Sequence, residues 1–262
     1  MAVAVVSVAG SLAAACTVPP DGADATTTSV ATISVERPGA WRTPSARIDR
    51  TVLVGDSLAQ ESASVVQFLT PGRRFVAKYW GGTAPCDWVG TDLRASRSAV
   101  VAITFTGNSL TECMSDGRGG HLADHALVDR YTEDLAVLID RSRRAGARVV
   151  LVGQPVRAAS FSADVEVAGI NAVLEAFAAR YAYVSYVDAG AQVETADGRF
   201  TERLPCGAFD QTCDPDGTVV IRGDGVHFCP VVDTHPCPVW SSGAFRFGSA
   251  IADAVRRPRS YD

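Results

Sequence analysis

Thr51-Val52-Leu53-Val54-Gly55-Asp56-Ser57-Leu58 is the stretch from which the rest of the chain can be read. Thr51–Val54 is a short β-rich run, a Gly-Asp-Ser turn follows, and Leu58–Leu69 carries a helical pattern. This is a strand feeding a helix through a tight turn, and the unit recurs downstream. Phe75–Trp80 reads as a strand. Ala99–Phe105 is apolar throughout, as expected of a strand buried on both faces. Ala123–Arg144 places Leu127, Tyr131, Leu135 and Leu138 at helical spacing. Arg148–Val152 reads as a strand, Ala163–Arg180 as a helix, Tyr183–Val187 as a strand and Ser241–Val255 as a last helix. Such alternation predicts an α/β fold, a mainly parallel sheet covered by helices on both faces. Residues 190–240 interrupt it with cysteines, prolines and glycines and no long periodic segment.

The chain has 262 residues, enough for one large domain or two small ones. No internal repeat or second domain is visible. With 47% hydrophobic and 20% charged residues there is ample material for a core. A net charge of −5 speaks against a nucleic-acid binder. Of the 24 basic residues only Lys78 is lysine, which reads as the codon usage of a GC-rich genome. No run reaches the roughly 18 apolar residues of a membrane-spanning helix.

Met1–Ala15 is small and apolar, the pattern of a secretory leader. Its end, Leu12-Ala13-Ala14-Ala15-Cys16, resembles a bacterial lipobox, in which the cysteine is lipidated and becomes the new N-terminus. A plain signal peptide containing a cysteine is the alternative. Residues 1–16 are therefore expected to be a signal peptide with a lipobox-like end, 17–47 a flexible tether and 48–262 the folded domain. The expected protein is exported, held at the cell envelope by a lipid anchor, and monomeric. Setting Cys16 aside leaves Cys86, Cys113, Cys206, Cys213, Cys229 and Cys237. An even number in an exported chain predicts disulfides. Loop-closure cost favours near partners, hence Cys86–Cys113, Cys206–Cys213 and Cys229–Cys237. No C-x-x-C spacing supports a zinc site, so no metal is expected.

In doubly wound sheets, ligands sit beyond the carboxyl ends of the strands. There the sequence places Gly55-Asp56-Ser57-Leu58, Trp80-Gly81-Gly82-Thr83 and Thr106-Gly107-Asn108, with Asp224-Gly225-Val226-His227 near the end of the chain. A serine hydroxyl is a poor nucleophile unless a base takes its proton. His227 is a candidate base, with Asp224 to orient and stabilise its ring. An oxyanion needs preorganised donors, here the backbone N–H groups of Ser57 and of Gly81 or Gly82, and the Asn108 amide. Each block alone has a bland reading. Asp56 or Ser57 caps a helix, Asn108 sits in a turn, and Asp224-Gly225 forms a tight turn. Their joint order favours the site.

In that order the four blocks resemble the SGNH (GDSL) hydrolases over about Val52 to Val255. The third block is looser, because Gly107 and Asn108 are adjacent where many members carry one residue between them. The chain lacks the second glycine of the G-x-S-x-G elbow. The resemblance implies a flavodoxin-like three-layer α/β/α fold with a mainly parallel five-stranded sheet. It implies serine esterase activity through an acyl-serine intermediate, with no cofactor, on O-acyl groups of carbohydrate or envelope glycolipid, or on small lipid esters. An acyltransferase using the same triad and a non-catalytic glycan-binding lipoprotein are the alternatives.

Other residues read more simply. Asp56 is expected to cap or orient its turn. His121 and His125 are spaced i, i+4 but fit an exposed helix start better than a metal site, and His235 falls in a loop. Trp80 and Trp88 are expected near the pocket, and Trp240 also lies close in sequence to a catalytic block. Arg141, Arg143 and Arg144 suit the C-terminal dipole of their helix.

Overall fold

The computed structural model describes residues 42–161, 164–210, 212–229 and 240–257. Strands β1 (Arg50–Gly55), β2 (Arg74–Tyr79), β3 (Ala99–Thr104), β4 (Arg148–Val152) and β5 (Val184–Val187) form one sheet in the order β2-β1-β3-β4-β5. Every pairing in it is parallel. Helices α1 (Ser57–Leu69), α2 (Asp124–Arg144), α3 (Asp164–Arg180) and α4 (Ser242–Arg256) cover its faces.

Side chains alternate across a strand, and the two cores follow from that alternation. Val101 and Ile103 of β3 pack with Leu127, Leu135 and Leu138 of α2 and Ile170 of α3. Val100 and Ala102 point to the other face and pack with Leu58 and Val66 of α1 and Phe247 and Ile251 of α4. All six residues of β3 are buried, Thr104 included, as its lack of charged residues predicts. Helix α1 starts where Asp56 caps it, Oδ1 accepting the Leu58 N–H at 3.1 Å. Among the described residues no helix is long and apolar enough to cross a membrane.

The stretch expected to be loop contains more order than the sequence shows. A short 3-10 turn covers Gly190–Val193, and β6 (Arg203–Pro205) pairs antiparallel with β7 (Thr218–Val220). Strands of three residues are too short to leave a periodic trace. Cys206 and Cys213 are bonded beside this pair, and Cys86 is bonded to Cys113. Cys229 is also in a disulfide. Its expected partner Cys237 lies outside the described residues, as do Cys16, the leader and His235. Part of the segment read as tether lies against the domain: the Ser45 N–H donates to Arg97 O at 2.6 Å and Arg97 Nε donates to Thr43 O at 2.8 Å. His121 precedes α2 and bridges Ser115, so it shares no helical turn with His125.

Candidate active site

The strand order reverses between β1 and β3, where such sheets open a crevice at their carboxyl ends. Three of the sequence blocks arrive there directly. Ser57 is the first residue of α1, Gly81 and Gly82 follow β2, and Asn108 follows β3. The fourth block arrives from the far end of the chain, after β7.

His227 bridges the blocks. Its Nε2 lies 3.0 Å from Ser57 Oγ and its Nδ1 lies 2.7 Å from Asp224 Oδ2. Asp224 Oδ1 accepts the backbone N–H groups of Val226 at 2.9 Å and His227 at 2.7 Å. Burial pushes the Asp224 carboxyl up, but these hydrogen bonds and the His227 ring outweigh it and hold the group below the ordinary range. The turn needs Gly225. Its φ is +91°, and a Cβ there would come within 2.7 Å of Ala158 Cβ.

The Asn108 amide is held from below. Asp56 is wholly buried, and its Oδ2 accepts from Thr106 N–H and Thr106 Oγ1, both at 2.6 Å, and from Asn108 Nδ2 at 2.9 Å. Asp56 therefore caps the helix that carries Ser57 and orients the amide of Asn108. The first role is legible in the sequence; the second needs β1 and β3 to be neighbours. Burial pushes the Asp56 carboxyl up, opposed by the Thr106 bonds and the Arg157 charge. On the other side of the nucleophile, a Cβ on Gly81 would lie 3.7 Å from Ser57 Cβ, and Gly82 takes a φ of +77°.

Glu61, one turn along α1, carries no sequence signal of its own. It is buried, and its Oε2 accepts the Phe228 N–H at 2.7 Å, fixing the residue after His227. Burial pushes its carboxyl up to about 7.

These residues open on a cleft of about 780 Å³. Trp80, Leu110 and Phe161 line it while remaining 72%, 71% and 55% exposed, an apolar rim. Trp88 is a correction to the pocket reading. It packs against the core under α2 and its Nε1 donates to Thr83 Oγ1 at 3.0 Å. Trp240 lies elsewhere, donating to Ser64 Oγ at 2.7 Å. Cys86, Asp87 and Cys113 cluster at ligand distances, but both sulfurs are spent in a disulfide.

Neither a family model nor a curated protein matches the sequence. Solved structures do. A Bacteroides fragilis protein named as an acylhydrolase superposes with a TM-score of 0.52 at 15% identity, covering 82% of this chain and 90% of that one. A GDSL-like lipase from Bacteroides thetaiotaomicron gives 0.50 at 13%, covering 80% and 88%. An acetyl esterase variant holding an acetate ion gives 0.51 at 14%, covering 80% and 97%. The chain has the SGNH hydrolase fold. With the flavodoxin-like strand order, the four site blocks meet at the carboxyl ends of the strands, where the crevice lies.

Proposed function

We propose that this protein is a serine esterase that hydrolyses acyl esters through an acyl-Ser57 intermediate. One observation carries the reading: the relay from Ser57 Oγ to His227 Nε2 at 3.0 Å and from His227 Nδ1 to Asp224 Oδ2 at 2.7 Å. As Ser57 Oγ attacks the ester carbonyl carbon, His227 Nε2 takes its proton. The tetrahedral oxyanion is held by the N–H of Ser57, the N–H of Gly81 or Gly82, and Asn108 Nδ2. The intermediate collapses, the alcohol leaves with the proton from His227, and the acyl group stays on Ser57. Water then repeats the sequence, His227 taking its proton and returning one to Ser57 Oγ as the acid leaves. Asp224 holds the ring in the productive tautomer and stabilises its charge.

The cleft has the size that holds ligands of several hundred daltons. Its apolar rim suits O-acyl groups on carbohydrate or envelope glycolipid, or small lipid esters. The two described disulfides fit an oxidising, exported setting. Lipid anchoring through Cys16 completes the proposal. Purified domain given p-nitrophenyl esters of graded chain length tests the reaction. Turnover is expected, and Ser57→Ala and His227→Ala each lower kcat by at least about 10³-fold with the fold intact by circular dichroism. Comparable turnover in either variant defeats the mechanism.

A further inference from the structure

The acyl-transfer steps leave unused the one cation among the described residues lining the cleft. Arg157 lines it together with Ser57 and His227, yet is only 9% exposed. Its Nη2 donates to Thr106 O. Among the described residues its buried Nε has no partner, Nη1 makes no hydrogen bond, and the guanidinium forms no ion pair with a carboxylate. Arg222, also buried, leaves its Nε unpartnered too, but both of its terminal nitrogens donate, to Val156 O and Val193 O, and it lies over the Phe200 ring.

A buried cation with unsatisfied donors is costly, and proteins satisfy such groups. Asp56 feels the Arg157 charge, but no described carboxylate accepts a hydrogen bond from the guanidinium. Asp56 is engaged by Leu58, Thr106 and Asn108. Glu166 also lines the cleft, with Oε1 accepting the Asp124 N–H at 2.9 Å. The guanidinium sits against the loop that presents the Asn108 amide, since a Cβ on Gly107 would lie 3.9 Å from Arg157 Nη2. An anion entering the cleft meets one arginine and one carboxylate on its walls, so its position is defined by attraction and by repulsion.

We propose that Arg157 is an anion-recognising residue and that the ester taken by this cleft carries a carboxylate near the scissile bond. The proposal rests on the esterase reading for its substrate, but not for the anion site itself. A charge-assisted, fork-shaped contact is what a guanidinium supplies and a carboxylate accepts. The apolar rim is left to hold the rest of the molecule.

Two matched ester pairs locate the charge. On the acyl side, p-nitrophenyl hemisuccinate is compared with its methyl ester. On the alcohol side, 4-acetoxybenzoate is compared with its methyl ester. In one pair the anionic member is expected to have a kcat/KM at least about tenfold higher. Arg157→Gln brings that ratio to about one, and Arg157→Lys, which keeps the charge, retains part of it. A ratio of one or less in both pairs, or a ratio unchanged in Arg157→Gln, overturns the proposal. A purely structural arginine would lower both members of a pair together and leave the ratio alone.

Binding separates this outcome from the fate of the esterase reading. In the Ser57→Ala protein, succinate and its neutral diamide are titrated by calorimetry. Succinate is expected to bind at least about tenfold tighter, and the difference vanishes when Arg157→Gln is added. Equal binding of the two overturns the anion site even where esters are turned over. If no ester is turned over, the titration still decides for or against Arg157.

Discussion

Asn108 is held in place by Asp56, whose buried Oδ2 accepts a hydrogen bond from Asn108 Nδ2 at 2.9 Å. This makes Asp56 a positioning residue for the proposed oxyanion donor. Asn108→Ala is expected to lower kcat by about 10²–10³-fold with little change in KM, the effect of losing one such donor. Asp56→Asn should show the same split of kcat from KM, with a loss of stability of about 1–3 kcal/mol because it exchanges an acceptor for a donor facing the Thr106 N–H. Kinetics and chemical denaturation read the two effects separately. Glu61 gives a test in pH. Burial raises its carboxyl from the ordinary 4.5 to about 7, so its protonated form is the one the fold favours. That contribution is complete below pH about 4.5 and is lost as pH rises through about 7. Glu61→Gln should therefore lose less stability than the wild type between pH 5 and pH 8, as read from urea midpoints. An equal loss in both proteins would contradict this.

At the scale of elements, the turn from Asp224 to His227 and the loops around it carry the greatest risk. Gly225 stands at a φ of +91° against Ala158. Gly225→Ala must strain the backbone or push Ala158 away, at a cost of about 1–3 kcal/mol. Because the same turn sets the His227 ring, ester turnover should fall by more than the loss of stability explains. Activity assayed well below the unfolding temperature checks this. The disulfide between Cys86 and Cys113 spans a separation of 27 residues and ties the loop after β2 to the loop after β3. Loop-closure arithmetic assigns such a bridge about 3–4 kcal/mol. The Cys86→Ser, Cys113→Ser double variant should unfold at correspondingly lower urea. An unchanged midpoint would mean that the loop is held by its packing alone.

For the molecule as a whole, the sheet was the most legible part. Its strands are short and mostly apolar or β-branched, and Ala99–Phe105 reads as buried because nothing in it is charged. The four blocks were legible because strand ends and chemistry coincide in them. What escaped has a common physical cause. Glu61, Arg157 and the Asp56–Asn108 contact act across chain separations that only packing brings together. Trp88 looks like Trp80 in sequence, yet one is packed under α2 and the other stands at the cleft rim. The pairing of β6 with β7 is too short to announce itself. The central claim is that Ser57 is the activated nucleophile of one assembled relay. Its most direct test is peptide-level mass spectrometry after treatment with a sulfonyl fluoride. One adduct is expected, on the peptide carrying Ser57, strongly reduced in His227→Ala. An adduct on another residue, or none on the folded protein, would contradict it.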